Sequence, residues 1–108
     1  MKTLLVITNL PDPASAAQLA QMLVDTRLAA CVNILSPATS VYRWQGKVET
    51  ATETPLLIKT HADRYAALEA AIRSHHPYEL PEIIAVNVDN GLPEYLSWVI
   101  AESSPAHA

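Results

Sequence analysis

The chain has 108 residues, half of them hydrophobic, and a formal net charge of -4 at pH 7. That length fits one compact domain spanning residues 1–108, and an acidic chain without a basic block lacks the positive footprint that nucleic acid or an anionic membrane surface demands. The single cysteine, Cys31, permits no internal disulfide, which fits a reducing cytoplasm, and no segment approaches the roughly 20 apolar residues of a membrane helix.

Lys2–Thr8, "KTLLVIT", is a short apolar run rich in β-formers and predicts a buried strand. With Lys2 before it and Ala14-Ser15-Ala16 after it, the run imitates a signal peptide. Its apolar stretch, Leu4 to Ile7, falls short of the roughly 7 apolar residues of a signal core. Asp12 then reads as an N-cap with Pro13 at the first helical position. Ala16, Leu19, Ala20 and Leu23 follow at helical spacing and carry the helix to about Leu28.

Ala29–Leu35 predicts a second strand, and Pro37 a bulge or edge position. The strand resumes in "SVYRWQGKVE", with Ser40, Tyr42 and Trp44 on one face and Val41 and Arg43 on the other. Gln45-Gly46 is a hairpin turn. The return strand runs from Lys47 to Thr60, interrupted at Pro55. Asp63 reads as the N-cap of a second helix with Tyr65, Leu68 and Ile72 on its buried face and Glu69 and Arg73 paired outside. That helix ends near His76, because Pro77 forces the preceding residue out of the α region. Glu82–Asp89 is another strand, opened by Pro81. Asn90-Gly91 turns the chain, and a last helix from Pro93 carries Tyr95, Trp98 and Val99, with Trp98 read as core. Residues 103–108 read as a frayed tail.

The order is β-α-β-β-α-β plus an extra C-terminal helix. It predicts an α+β, ferredoxin-like antiparallel sheet with its helices on one face. The central hairpin, about Ala29 to Thr60, has strands longer than the usual ~5–6 residues. The helices cannot cover all of it, and Tyr42 and Trp44 stand far along it. Such a strand predicts packing between subunits.

With two glycines, the chain has neither a P-loop nor a dinucleotide-binding fingerprint, and it has no G-x-S-x-G elbow. His75 and His76 are candidate metal ligands through imidazole. Neighbours in a helix diverge by about 100°, however, and histidines at a helix C-terminus also complement its dipole. Cys31 is either a small core residue or a soft-metal ligand. Lys47, Glu49, Glu53 and Lys59 lie along the return strand, as a solvated face or, in an oligomer, as partners of a ligand. His76 with Glu82 suggests an acid–base pair, but no activated nucleophile accompanies them, so no enzyme is expected.

Taken together, "LAACVNI", "YRWQGK", "ETPLLIKT", "SHHPYELPE" and "EYLSWV" resemble the CutA divalent-cation tolerance family, in order and nearly throughout the chain, from Thr3 to Ile100. The resemblance implies a tight homotrimer of PII-like architecture, no known enzymatic activity and a polar cleft between subunits. By motif it carries Cys31, Trp44, Lys47, Glu53, Lys59, His76, Tyr78 and Glu82 into that cleft. It implies Cu2+ or another divalent metal as ligand, with the double histidine matched by His75 and His76. Some members also use a cysteine late in the first strand, where this chain has Thr8, and a hydroxyl is a poor substitute for a thiolate toward copper. Three functions follow: copper tolerance through metal binding, PII-like sensing of a small anionic ligand, and a purely structural module.

Overall fold

The first apolar run becomes the strand about which the sheet is built. In the computed structural model, which describes residues 1–106, β1 (Thr3–Leu10) is hydrogen-bonded on both sides. It runs antiparallel to β4 (Lys47–His61) and to β5 (Ile83–Asn87). β2 (Cys31–Ile34) and β3 (Ala38–Trp44) both pair with β4, β2 on its C-terminal half and β3 on its N-terminal half. The sheet order β2-β4-β1-β5 is that of the ferredoxin-like fold.

Pleating sends Leu4, Val6, Thr8 and Leu10 of β1, with Leu56 and Ile58 of β4, to one face. Two helices cover it. α1 (Pro13–Asp25) begins as its sequence dictates: the Asp12 carboxylate accepts the Ser15 N–H at 2.8 Å, and Pro13 sits where no donor is needed. It buries Ala16, Leu19, Ala20 and Leu23. α2 (Tyr65–His75) adds Leu68 and Ile72 to the same core.

Several boundaries differ from expectation. α1 stops at Asp25 rather than near Leu28, because Arg27 turns left-handed (φ 60) and the Leu28 and Ala29 N–H groups return to the Leu23 carbonyl. β4 passes through Pro55 without a break. Pro55 keeps register with Asn9, and its carbonyl accepts the Leu35 N–H at 3.0 Å. Asp63 caps nothing: Ala62–Arg64 forms a 3-10 turn, and α2 starts at Tyr65 with no side-chain cap. Glu69 accepts the Tyr65 hydroxyl at 2.8 Å instead of pairing with Arg73.

α3 (Pro93–Glu102) packs against β4 and β1. It meets them through His61, which alternates with Thr60 and therefore points away from α1 and α2. The helices thus share one face only for α1 and α2. Val99 of α3 is buried, but Trp98 is 43 % exposed and lies outside the core of the chain. The expected frayed tail is ordered at its start, since Ser103 is buried and bonded to His61; residues 107 and 108 lie outside the described residues.

On the face turned away from α1 and α2, Leu5, Ile7, Leu57, Ile84 and Val86 stand together by register. Ile84 and Val86 are about half exposed. No helix among the described residues is long and apolar enough to cross a membrane.

Candidate functional site

The hairpin of β3 and β4 turns at Gln45 (φ 50) and Gly46 (φ 82), the paired left-handed residues of a type I′ turn. Register then sets Trp44 opposite Lys47, Tyr42 opposite Glu49, Ser40 opposite Ala51 and Ala38 opposite Glu53, all on one face. Along that face runs a groove of about 1180 Å³, closed on its far side by the segment from Pro77 to Ile84. Its polar and aromatic walls are Tyr42, Trp44, Glu53, Tyr78, Glu79 and Glu82.

The far wall is held by His76. Pro77 stops α2, and His76 is extended (φ -83, ψ 134) with its side chain buried. Its Nε2–H donates to the Asn9 carbonyl at 2.6 Å, and its Nδ1 accepts the Tyr78 N–H at 3.1 Å. Those bonds fix the neutral Nε2–H tautomer. Asn9 in turn donates from Nδ2 to Glu82 Oε1 at 3.2 Å. His76 and Glu82 therefore meet through Asn9 and form no acid–base pair with each other.

Tyr78 lies against the His76 ring, with centroids 4.7 Å apart. Its phenol pKa is pushed up to about 12, first by burial and then by the Glu53 carboxylate beside it, with the other nearby negative charge adding to both. Burial and a neighbouring anion both penalise the phenolate. The hydroxyl is thus a fixed donor across the ordinary pH range.

His75 goes elsewhere. It is exposed, and its Nδ1–H donates to the Ala71 carbonyl at 2.9 Å, one turn back on α2. The helix-end role anticipated for such histidines describes His75, while His76 braces the groove. The two rings do not converge. Among the described residues, no three His, Cys, Asp or Glu side chains stand close enough to hold an ion.

The residues carried over by motif thus divide. Trp44, Glu53, Tyr78 and Glu82 share the groove, with His76 behind them. Lys47 and Lys59 each lie six positions along β4 from Glu53 (47 to 53, 53 to 59), roughly 20 Å at strand spacing. Lys59 sits on the sheet face beside Cys31, with Nζ donating to Asn33 Oδ1 and standing 3.9 Å from Cys31 Sγ. Cys31 is half-buried rather than buried. Thr8 is fully buried with its Oγ1 unpaired, on the α1 and α2 side of the sheet. Asn9, which ties His76 to Glu82, carried no sequence signal beyond being a polar residue late in an apolar strand.

This sheet, its two covering helices and the groove along a long hairpin define a ferredoxin-like protein of the PII-like class. The family model for the CutA1 divalent ion tolerance protein matches residues 4–102, and the chain belongs to that family. The divalent-cation tolerance protein CutA of Yersinia pestis (strain Pestoides F) is 44% identical over 98 residues, covering 91% of this chain and 82% of the relative. Among solved structures, CutA from Xylella fastidiosa superposes with a TM-score of 0.92 at 48% identity, over 96% of this chain and 100% of that one. The PII-like protein CutA from Nostoc sp. PCC 7120 gives 0.87 at 37% identity, over 98% and 100%. An Archaeoglobus fulgidus protein described as a periplasmic divalent cation tolerance protein gives 0.91 at 32%, over 94% and 99%.

Proposed function

We propose that the protein is a homotrimeric divalent-cation-binding protein whose ions enter the hairpin groove, and that it acts in metal tolerance without catalysing a reaction. The observation that carries this reading is the sign of the groove's charge. Its charged walls are Glu53, Glu79 and Glu82; Lys59 lies away from it, and Lys47 stands only at its hairpin end, opposite Trp44. Carboxylate oxygens suit a divalent ion and Tyr78 stays neutral beside them, but no three of these groups converge within one chain, so an ion here would need further ligands from water or a neighbouring subunit. The residues do not suit tight Cu(I) binding, since the position that other members fill with a thiolate is the buried hydroxyl of Thr8.

The uncovered surface supports assembly of several copies, and the family resemblance makes the number three. Leu5, Ile7, Leu57, Ile84 and Val86 form an apolar sheet face, and Val41 and Val48 on the hairpin are 68% and 65% exposed. A second copy is the natural cover for both. The cytoplasm is the compartment this reading assigns, on the strength of the lone Cys31.

The second reading is a PII-like sensor of a small anion. It is favoured by Lys47 and Lys59, which stand on surfaces a neighbouring subunit would meet and would add positive charge to its groove. Calorimetric titration separates the two. Saturable binding of Cu2+ or Zn2+ that disappears in a Glu53→Gln, Glu82→Gln double variant supports the cation reading. Loss in His75→Ala alone moves the ion to the end of α2, where the His75 Nε2 is the nitrogen left to bind it. Binding of small anions that Lys59→Ala removes supports the sensor.

A further inference from the structure

Ser103, just past the end of α3, is completely buried. Its Oγ–H donates to the Val99 carbonyl at 2.6 Å, so toward His61 it accepts, and the 2.7 Å contact is a bond from His61 Nδ1–H. His61 is the last residue of β4, opposite Thr3 and 2% exposed. The geometry puts a proton on Nδ1, so the neutral ring is the Nδ1–H tautomer. This arrangement is separate from the groove and independent of what the groove binds.

We propose that the His61–Ser103 pair is an acid-sensitive latch, which seats the C-terminal end of α3 on the sheet at neutral pH and loosens it when His61 is protonated. A second proton, on Nε2, would place a full charge on a ring that is only 2% exposed as a residue, at a nitrogen with no hydrogen-bond partner among the described residues. The 3-10 turn brings Asp63, which favours that charge, and Arg64, which opposes it; the start of the chain brings the Met1 amine, which also opposes it. From α3 come the Ser103 hydroxyl and the Val99 carbonyl. Of the two acids of that helix, Glu94 lies in its first turn, and Glu102, at its end, stands 3.5 Å from Arg27.

Burial is the largest influence and lowers the His61 pKa below its ordinary 6.5. The folded state therefore prefers neutral His61. The latch is complete above pH 6.5 and weakens as the pH falls from there toward the lowered folded value. Arg27 holds the same helix end through the Ser104 carbonyl at 2.7 Å and the Ala101 carbonyl at 2.9 Å. Its guanidinium keeps its charge throughout, so acid loosens α3 without detaching it outright. The consequence falls on the neighbouring surface, because α3 caps the Thr3–His61 end of the same sheet face that Leu5, Ile7 and Leu57 leave apolar.

Amide hydrogen exchange of residues 93–104, corrected for the intrinsic rate, tests the latch at about pH 7.5 and about pH 5.5. The wild type is expected to lose protection in α3 at the lower pH. His61→Gln, whose amide still donates to Ser103, is expected to show equal protection at both. Equal protection in the wild type overturns the proposal, as does a pH dependence that survives in His61→Gln. Should that variant fail to fold, the nitrogen shifts of His61 in the wild type decide. An Nδ1–H tautomer that titrates in step with the α3 amides supports the latch, and an Nε2–H tautomer or a titration that leaves α3 unmoved overturns it.

Discussion

His76 and Tyr78 grip each other across Pro77: the rings are 4.7 Å apart, and the Tyr78 N–H donates to His76 Nδ1 at 3.1 Å. With the Nε2–H bond to the Asn9 carbonyl, His76 has both nitrogens committed inside the chain. The groove wall is therefore rigid only while that ring is present. His76→Ala strands the Asn9 carbonyl and the Tyr78 N–H at about 1–3 kcal/mol each. A loss of about 2–4 kcal/mol in urea unfolding is expected for it, against less than about 0.5 kcal/mol for exposed His75→Ala. Equal losses in the two variants would contradict this division of labour.

Tyr78 should titrate well above the ordinary phenol value of 10. Ultraviolet difference spectra between wild type and Tyr78→Phe are expected to show one phenol ionising at about 12. Glu53→Gln should bring that value down, because it removes the neighbouring carboxylate charge that opposes the phenolate. An unchanged titration in Glu53→Gln would separate the two residues.

Gly46 holds φ 82 with open space where a Cβ would stand, so the cost of Gly46→Ala is conformational rather than steric. About 1 kcal/mol of destabilisation is expected in thermal unfolding. Gln45, left-handed at φ 50, is the complementary case: Gln45→Asn should stabilise the hairpin by a few tenths of a kcal/mol.

The apolar sheet face is a prediction about assembly. Ile84→Lys places a charge between Ile7 and Val86 without touching the α1–α2 core. Sedimentation velocity is expected to show the wild type as a trimer and the variant shifted to monomer with retained circular dichroism. A variant that stays trimeric would remove this face from the interface.

What the sequence disclosed was local. The alternation of β1, the Asp12–Pro13 start of α1 and the Gln45-Gly46 turn each depend on neighbours a few positions away. Pro55 misled because its local penalty was offset by pairing on both sides of a central strand, which sequence spacing does not display. Asp63 has the right chemistry for a cap but falls in a 3-10 turn that delays α2 by one residue. At the groove, motif resemblance brought together Trp44, Glu53, Tyr78 and Glu82, and it set Lys47 and Lys59 with Glu53 as well. Distance along a 15-residue strand separates them. Asn9 was invisible because its role exists only once β1 has met the turn after α2.

The most direct test of the cation reading is an anomalous-scattering map from crystals grown with Cu2+. The account predicts a peak in the hairpin groove within coordination distance of Glu53 or Glu82. Peaks confined to His75 at the end of α2, or no peak in the groove of a fully folded trimer, would contradict it.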